Sequence, residues 1–324
     1  MTRIVRRSLL ACLLALSIGL TGCNSKTNAK GENRSGYKFA FVTNNSSEFW
    51  NIAVNGVHQA EQDLGVKVEV FRPLHGEVAE QQRYLEDILV LGFDGLAVSP
   101  VNAEAMTPVL NRMAEKMNVV CQDSDAPSSK RRSYVGTKNI EAGRAAGAAA
   151  VAALEAAGIK RGKAGIFVGR VDVENAALRR QGVEEALTRA GIEVLPVFLD
   201  ATDRAKAKKN IEDALARYPD LVLAVGLWSY NGPAIAGAIR ASSREKRPIV
   251  IAFDEEEETL KAIEDGVIDA TIVQQPFEFG YQSVKLLKDA KDGKAVPPSV
   301  DTGIVSVRKD NLTEFWKRLR ELKK

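Results

Sequence analysis

Several apolar runs in this chain end in polar side chains able to do chemistry. "TNNSSEFW" (43–50), "QDSDAP" (122–127), "GRVDVENAALRRQG" (169–182), "GLWSYNGP" (226–233) and "FDEEEE" (253–258) each follow such a run. A carboxylate accepts two hydroxyl hydrogens, a guanidinium donates a fork of N–H groups, and an amide does both. With the rings of Phe49 and Trp50 covering an apolar C–H face, the combination suits a neutral polyol. Asp254 directly follows "PIVIAF", and Asp123 and Asp125 stand similarly after "NVVCQ". A second reading makes the latter two turn-forming residues before Pro127, and makes "DEEEE" a solvated helix start favoured by the helix dipole. Paired carboxylates also serve glycosidases, but that chemistry depends on a separation sequence cannot supply.

Two of these groups carry a pattern of their own. On a helix from about Glu48 to Leu64, Phe49 continues the apolar stripe Ala53, Gly56, Ala60, and Trp50 sits at its edge beside Val54 and Val57. The pair therefore reads either as core or as ligand contact. Arg179 falls on the stripe Ala176, Val183, Ala186, Leu187, Ala190, whereas Arg180 points away. A guanidinium on a buried face needs partners, either a structural ion pair or a ligand.

Other chemistries find no support. His58 and His75 are the only histidines and no Cys/His cluster exists, so no metal site is expected. There is no P-loop, no G-x-S-x-G and no G-x-G-x-x-G, which argues against an enzyme. Gly143 and Gly147 in "GRAAG" are read as helix-packing glycines.

The elements that must position the site alternate. "KFAFV", "VKVEVF", "GLAVSP", "NVVCQD", "KAGIFVG", "IEVLPVFL", "LVLAVGL", "RPIVIAFD" and "DATIVQQ" are continuous apolar runs separated by longer helical stretches. That is the signature of parallel strands covered on both faces, in an α/β fold. Nine such units in 324 residues exceed one usual open sheet, so two doubly wound lobes are expected. Ligands of such sheets gather beyond the carboxyl ends of the strands, where the polar stretches lie.

The first residues read as a leader. "MTRIVRRSLLACLLALSIGLTGC" has a basic start, an apolar stretch from Leu9 to Leu20 too short to span a bilayer, and small residues before Cys23. "LTGC" resembles a bacterial lipobox, which makes residues 1–22 a lipoprotein signal peptide and Cys23 the lipidation site. Residues 23–36 read as a flexible tether. Cys12 lies in the leader, so Cys121 is left alone in the mature fold and reads as a buried strand residue. Removing Arg3, Arg6 and Arg7 from the 45 basic side chains leaves them equal in number to the 42 acidic ones. Such a balance offers no footprint for nucleic acid.

"VTNNSSEFWNIAVNGVHQAEQDLGVKV", "GFDGLAVSPVNAEAM", "YVGTKNIEAGRAAG", "GLWSYNGPAIAGAI", "IVIAFDEEEETLKAIEDGVIDATIVQQP" and "FGYQSVKLL" occur in this order. Together they resemble the periplasmic sugar-binding proteins of the ribose/galactose type, over roughly Lys38 to Val307. "NLTEFWKRLRELKK" looks like an added amphipathic helix. The resemblance implies two lobes joined by three crossovers, here residues 37–137 plus 276–301 and residues 138–275 plus 302–324. It implies hinge closure on a sugar with no cofactor needed, delivery to an ATP-binding-cassette (ABC) permease, a monomer, and a place in the periplasm or on the outer face of the cell membrane. A sugar sensor feeding a chemoreceptor or histidine kinase is the alternative.

Carried across position by position, the resemblance makes Phe49 and Trp50 the sugar sandwich. Ser47, Ser99 and Asp123 become polar contacts of the first lobe, and Arg179 a hydroxyl contact. Asn231, Asp254 and Gln274 become contacts from the second lobe and hinge. There are departures. Ser47 and Ser99 stand where ribose binders commonly carry Asn, Ser124 where they carry Arg, and Thr202 near a usual aromatic position. Trp228 and Asp125 are the expected compensations, and the smaller groups leave room for a different or larger sugar.

Overall fold

The computed structural model describes residues 36–47 and 49–323. The expected signal segment, Cys23 and the tether through residue 35 lie outside the described residues. The chain begins with β1 (Lys38–Val42), α1 (Phe49–Leu64), β2 (Lys67–Phe71), α2 (Val78–Leu91), β3 (Gly95–Val98), α3 (Ala103–Ala114), β4 (Asn118–Gln122) and β5 (Ser133–Gly136). It continues through α4 (Asn139–Ala156), β6 (Lys163–Val168), α5 (Glu174–Arg189), β7 (Glu193–Val194), β8 (Phe198–Leu199), α6 (Arg204–Arg217), β9 (Leu221–Gly226), α7 (Asn231–Ala241) and β10 (Ile249–Phe253). Last come α8 (Glu257–Glu264), β11 (Ala270–Val273), α9 (Pro276–Lys291), β12 (Ser299–Asp301), β13 (Val305–Val307) and α10 (Leu312–Leu322).

Two sheets result. One has the order β12-β5-β4-β3-β1-β2 and is parallel throughout. The other runs β13-β11-β10-β9-β6-β7, with β8 also paired to β6 and only β13 antiparallel. The apolar runs form strands because helices cover both faces of each sheet; β3 and β11 are buried at every residue. The expected "IEVLPVFL" strand divides into β7 and β8 around Pro196, which has no N–H to give a ladder. Three short strands went unforeseen: β5, and the edge strands β12 and β13.

The chain passes between sheets three times, at residues 137–138, 274–275 and 302–304. In each lobe the helix after the first strand lies against a helix that follows a crossover. A glycine on each partner permits the approach. A Cβ on Gly56 of α1 would sit 2.0 Å from the Phe277 carbonyl oxygen, and one on Gly280 of α9 would sit 2.0 Å from that of Ala53. In the second lobe, a Cβ on Gly143 of α4 would meet the Arg179 carbonyl oxygen at 2.2 Å, and one on Gly182 of α5 would meet the Arg144 nitrogen at 2.5 Å. A Cβ on Gly147 would lie 2.5 Å from that of Ala186, so both "GRAAG" glycines serve helix packing.

Candidate ligand-binding site between the two lobes

Both sheets reverse their strand order, at β1/β3 and at β6/β9, and polar loops leave the carboxyl ends there. A cleft of about 500 Å³ opens between them, lined by residues 76–78, 100–104 and 123–125 of one lobe and by Asn139, Arg170 and residues 172–175 of the other. That volume suits a small polar solute.

Asp123 and Asp254 hold equivalent places, each one residue past its strand and each in the left-handed backbone region, at φ 59° and 65°. Few side chains accept that conformation, and Asp is among those that do. The Asp123 N–H donates to Val135 O at 3.0 Å, and the Asp254 N–H donates to Ile272 O at 2.9 Å. Their own carbonyls accept from the Tyr134 hydroxyl at 2.8 Å and the Thr271 hydroxyl at 2.7 Å. The Asp123 carboxylate accepts from Ser99 Oγ at 2.8 Å and from Asn44 Nδ2 at 3.3 Å. That of Asp254 accepts from Gln274 Nε2 at 2.9 Å.

Arg179 reaches the same region from α5 and is 2 % exposed. Its Nε donates to Asn139 Oδ1 at 2.9 Å and one terminal nitrogen donates to Leu227 O at 3.0 Å, while the guanidinium lies 4.6 Å above the Phe253 ring. Gly143 touches its backbone, so the α4–α5 packing sets its position. Burial pushes Asp123 up to about 6, opposed by the Ser99 hydrogen bond and by the charge of Arg179. Burial also raises Asp254, again opposed by Arg179. Arg179 itself is lowered by burial and held up by both carboxylates. Two carboxylates from opposite lobes thus feel the charge of one guanidinium, whose own hydrogen bonds go to Asn139 and Leu227.

The other expected residues are placed as follows. Trp50 is 1 % exposed, edge-on to Phe41 and Phe49, with Nε1 donating to Asn44 Oδ1 at 3.2 Å. Phe49 is half-buried between Trp50 and Phe279. The helical stripe had put Phe49 at the centre and Trp50 at the edge; burial runs the other way, because Trp50 meets β1 through Phe41. Ser47 is an exposed turn residue whose carbonyl accepts from Arg72 at 2.8 Å. Asp125 lines the cleft but is ion-paired with Arg131 of its own lobe. Trp228 donates Nε1 to Asn175 Oδ1 at 3.1 Å. Asn231 is fully buried, accepting from the Trp228 N–H at 3.0 Å and donating to Asp200 at 3.2 Å.

Four supporting residues escaped the sequence reading: Asn44, Asn139, Asn175 and Asp200. Their only signal was to lie in the polar loops after strands. Among the described residues no group of His, Cys, Asp and Glu is arranged to hold a metal. Cys121 is buried in β4, and burial pushes its thiol up to about 12, which leaves it unreactive. No helix of the described residues is long and apolar enough to cross a membrane.

Residues 39–295 match the family model of the periplasmic binding protein domain. The D-allose-binding periplasmic protein of Escherichia coli is 27% identical over 263 residues, covering 78% of this chain and 84% of that protein. A ribose import binding protein of Haemophilus influenzae is 26% identical over 273 residues, 82% of this chain and 89% of the relative. Among solved structures, a glucose-galactose binding protein from Geobacillus stearothermophilus superposes with a TM-score of 0.79 at 29% identity, over 86% of this chain and 99% of that one. A solute-binding protein from Burkholderia graminis in complex with D-arabinose gives 0.80 at 28%, over 86% and 96%. The chain belongs to the periplasmic binding protein family, and that membership makes it a binding protein rather than an enzyme.

Proposed function

From that membership we propose that the protein captures a sugar or related polyol between its lobes, outside the cytoplasm, and delivers it to an ABC importer. The observation that carries this reading is the convergence of Asp123 and Arg179 from opposite lobes, with Asp254 beside them, all buried and only partly satisfied by protein partners. Hydroxyls arriving between the lobes complete those hydrogen bonds. Trp50 and Phe49 supply the aromatic wall, and Ser99 and Gln274 orient the two carboxylates. Ser47, Asp125, Trp228 and Asn231 belong to the loops that frame the site.

The lobes in this reading are residues 37–137 plus 276–301 and residues 138–275 plus 302–324, which accords with β12 pairing to β5 and β13 to β11. They close about the three crossovers on the solute. Residues 1–22 are a signal peptide, Cys23 carries the lipid and the mature protein is a monomer. Import is favoured over sensing because curated relatives carry import in their names.

Thermal unfolding of the mature domain across pentoses, hexoses and polyols tests the proposal. A solute that binds only the folded protein raises the midpoint, by an amount set by its concentration over Kd. The shift should fade below about pH 6, where Asp123 takes up its proton, loses its charge and becomes a weaker acceptor. No shift with any member of the panel sinks the sugar reading.

A further inference from the structure

The residue after Asp254 is buried without a role in the site described. Glu255 is 7 % exposed, and its Oε2 has no hydrogen-bond partner. It lines a cavity of about 20 Å³, room for about one water. The walls come from three places: Ile52 of α1 in the first lobe, Gln275 and Phe277 at a crossover, and Phe315, Arg318 and Leu322 of α10. The helix α10 follows a strand of the second sheet, yet it reaches across. Leu322 O accepts from Asn55 Nδ2 of α1 at 2.8 Å, and Arg318 donates to Gln275 Oε1 at 2.8 Å. Glu255 therefore sits under a strap that ties both lobes to a crossover.

We propose that Glu255 is a positioning residue of the binding site: seated under α10, its carboxyl sets the charge of its neighbour Asp254 and links lobe closure to proton uptake. The inference rests on the reading that Asp254 faces the solute.

The charges around Glu255 agree. Asp254 and Glu256 on its own segment disfavour its ionisation, and Lys323 at the end of α10 favours it. Arg318 lines the same cavity but bonds to Gln275, while α1 and the crossover present the neutral Ile52, Gln274 and Gln275. Burial, reinforced by Asp254, pushes Glu255 up to about 8. Asp254 has Arg179 and Gln274 to support its charge, and Glu255 has nothing comparable. These partners favour the charge on Asp254, toward the site, and the proton on Glu255.

When the lobes part, Ile52 and the crossover leave the cavity, water reaches Glu255 and its affinity for the proton drops toward an ordinary glutamate. Closing takes the proton back. Affinity therefore falls with rising pH, by at most tenfold per unit, and levels off above about 8.

The test is calorimetric titration of D-allose and D-ribose between pH 6.5 and 9 with the wild type and with Glu255→Gln, which stays neutral. Thermal midpoints without sugar are read in the same buffers. The wild type should lose affinity up to about pH 8, and Glu255→Gln should stay flat. The sugar-free midpoints should show the same pH slope in wild type and variant, since the open lobes leave Glu255 solvated and without an extra proton. Arg318→Ala, which loosens the strap and spares the carboxyl, should shorten the falling range. Parallel affinity losses in wild type and Glu255→Gln, or none in either, overturn the proposal. If neither sugar binds, the sugar reading has failed and the positioning role falls with it. Sugar-free slopes that differ between the two proteins overturn proton uptake on closure.

Discussion

The two lobes hold their aspartates by the same device and surround them differently. Val135 and Ile272 accept from the Asp123 and Asp254 N–H groups, and in each case the residue before the acceptor, Tyr134 or Thr271, turns a hydroxyl onto the aspartate carbonyl. The strand order around them is the same, with β2-β1-β3-β4-β5 matched by β7-β6-β9-β10-β11. The carboxylates then part ways. One oxygen of Asp123 is held inside its own lobe by Ser99 and Asn44, whereas Asp254 leans on Gln274 at a crossover. At the start of the site-facing helix the first lobe places two aromatic rings, and the second places Arg179 about one turn further in. Two like backbone frames thus carry two aromatic rings in one lobe and a cation in the other; in the proposed reading these serve the apolar face and the hydroxyl edges of a polyol.

The sharpest way to break this comparison is to remove the cation whose charge both aspartates feel. Arg179→Ala strips Asn139 Oδ1 and Leu227 O of their donor and removes the charge that favours both carboxylates, and unfolding by denaturant should show a loss of about 2–6 kcal/mol at neutral pH, about 1–3 for each acceptor left bare. The sugar-induced shift should vanish with it. A small loss would mean that the lobes do not depend on one another through this residue.

The glycine pairs allow a finer cut. Gly56→Ala and Gly143→Ala should each cost about 1–3 kcal/mol by overpacking α1 on α9 and α4 on α5. Only Gly143→Ala pushes directly on the Arg179 backbone, so it should weaken sugar binding more than Gly56→Ala does at equal loss of stability. Equal weakening would remove the distinction between the lobes.

The smallest effect tests the likeness itself. Tyr134→Phe and Thr271→Val each delete one hydroxyl from an aspartate carbonyl, and both should cost about 0.5–1.5 kcal/mol in chemical denaturation. A loss confined to one lobe would show that only one aspartate needs the device.

Much of this was legible in the residues. Parallel strands buried on both faces announce themselves as unbroken apolar runs, and Asp123 and Asp254 stood out by ending two of them. Arg179 stood out because a guanidinium on a helix's apolar stripe contradicts its surroundings. β5 and the three-residue edge strands β12 and β13 were not legible, since Ser-Tyr-Val-Gly, Ser-Val-Asp and Val-Ser-Val make no unbroken apolar run.

Local sequence therefore determined the α/β alternation, the extent of α1 and the places where polar groups leave the strands, because backbone hydrogen bonding and side-chain periodicity act over a few residues. Tertiary structure alone decided the partners. Asn44 meets Asp123 across 79 residues and Asn139 meets Arg179 across 40. Trp50, not Phe49, went deep because of a ring on β1, and Glu255 was buried because the far end of the chain folds over it. Burial and charge pairing depend on what packs from elsewhere, and neither the spacing along α1 nor the acidic run 254–258 contains that information.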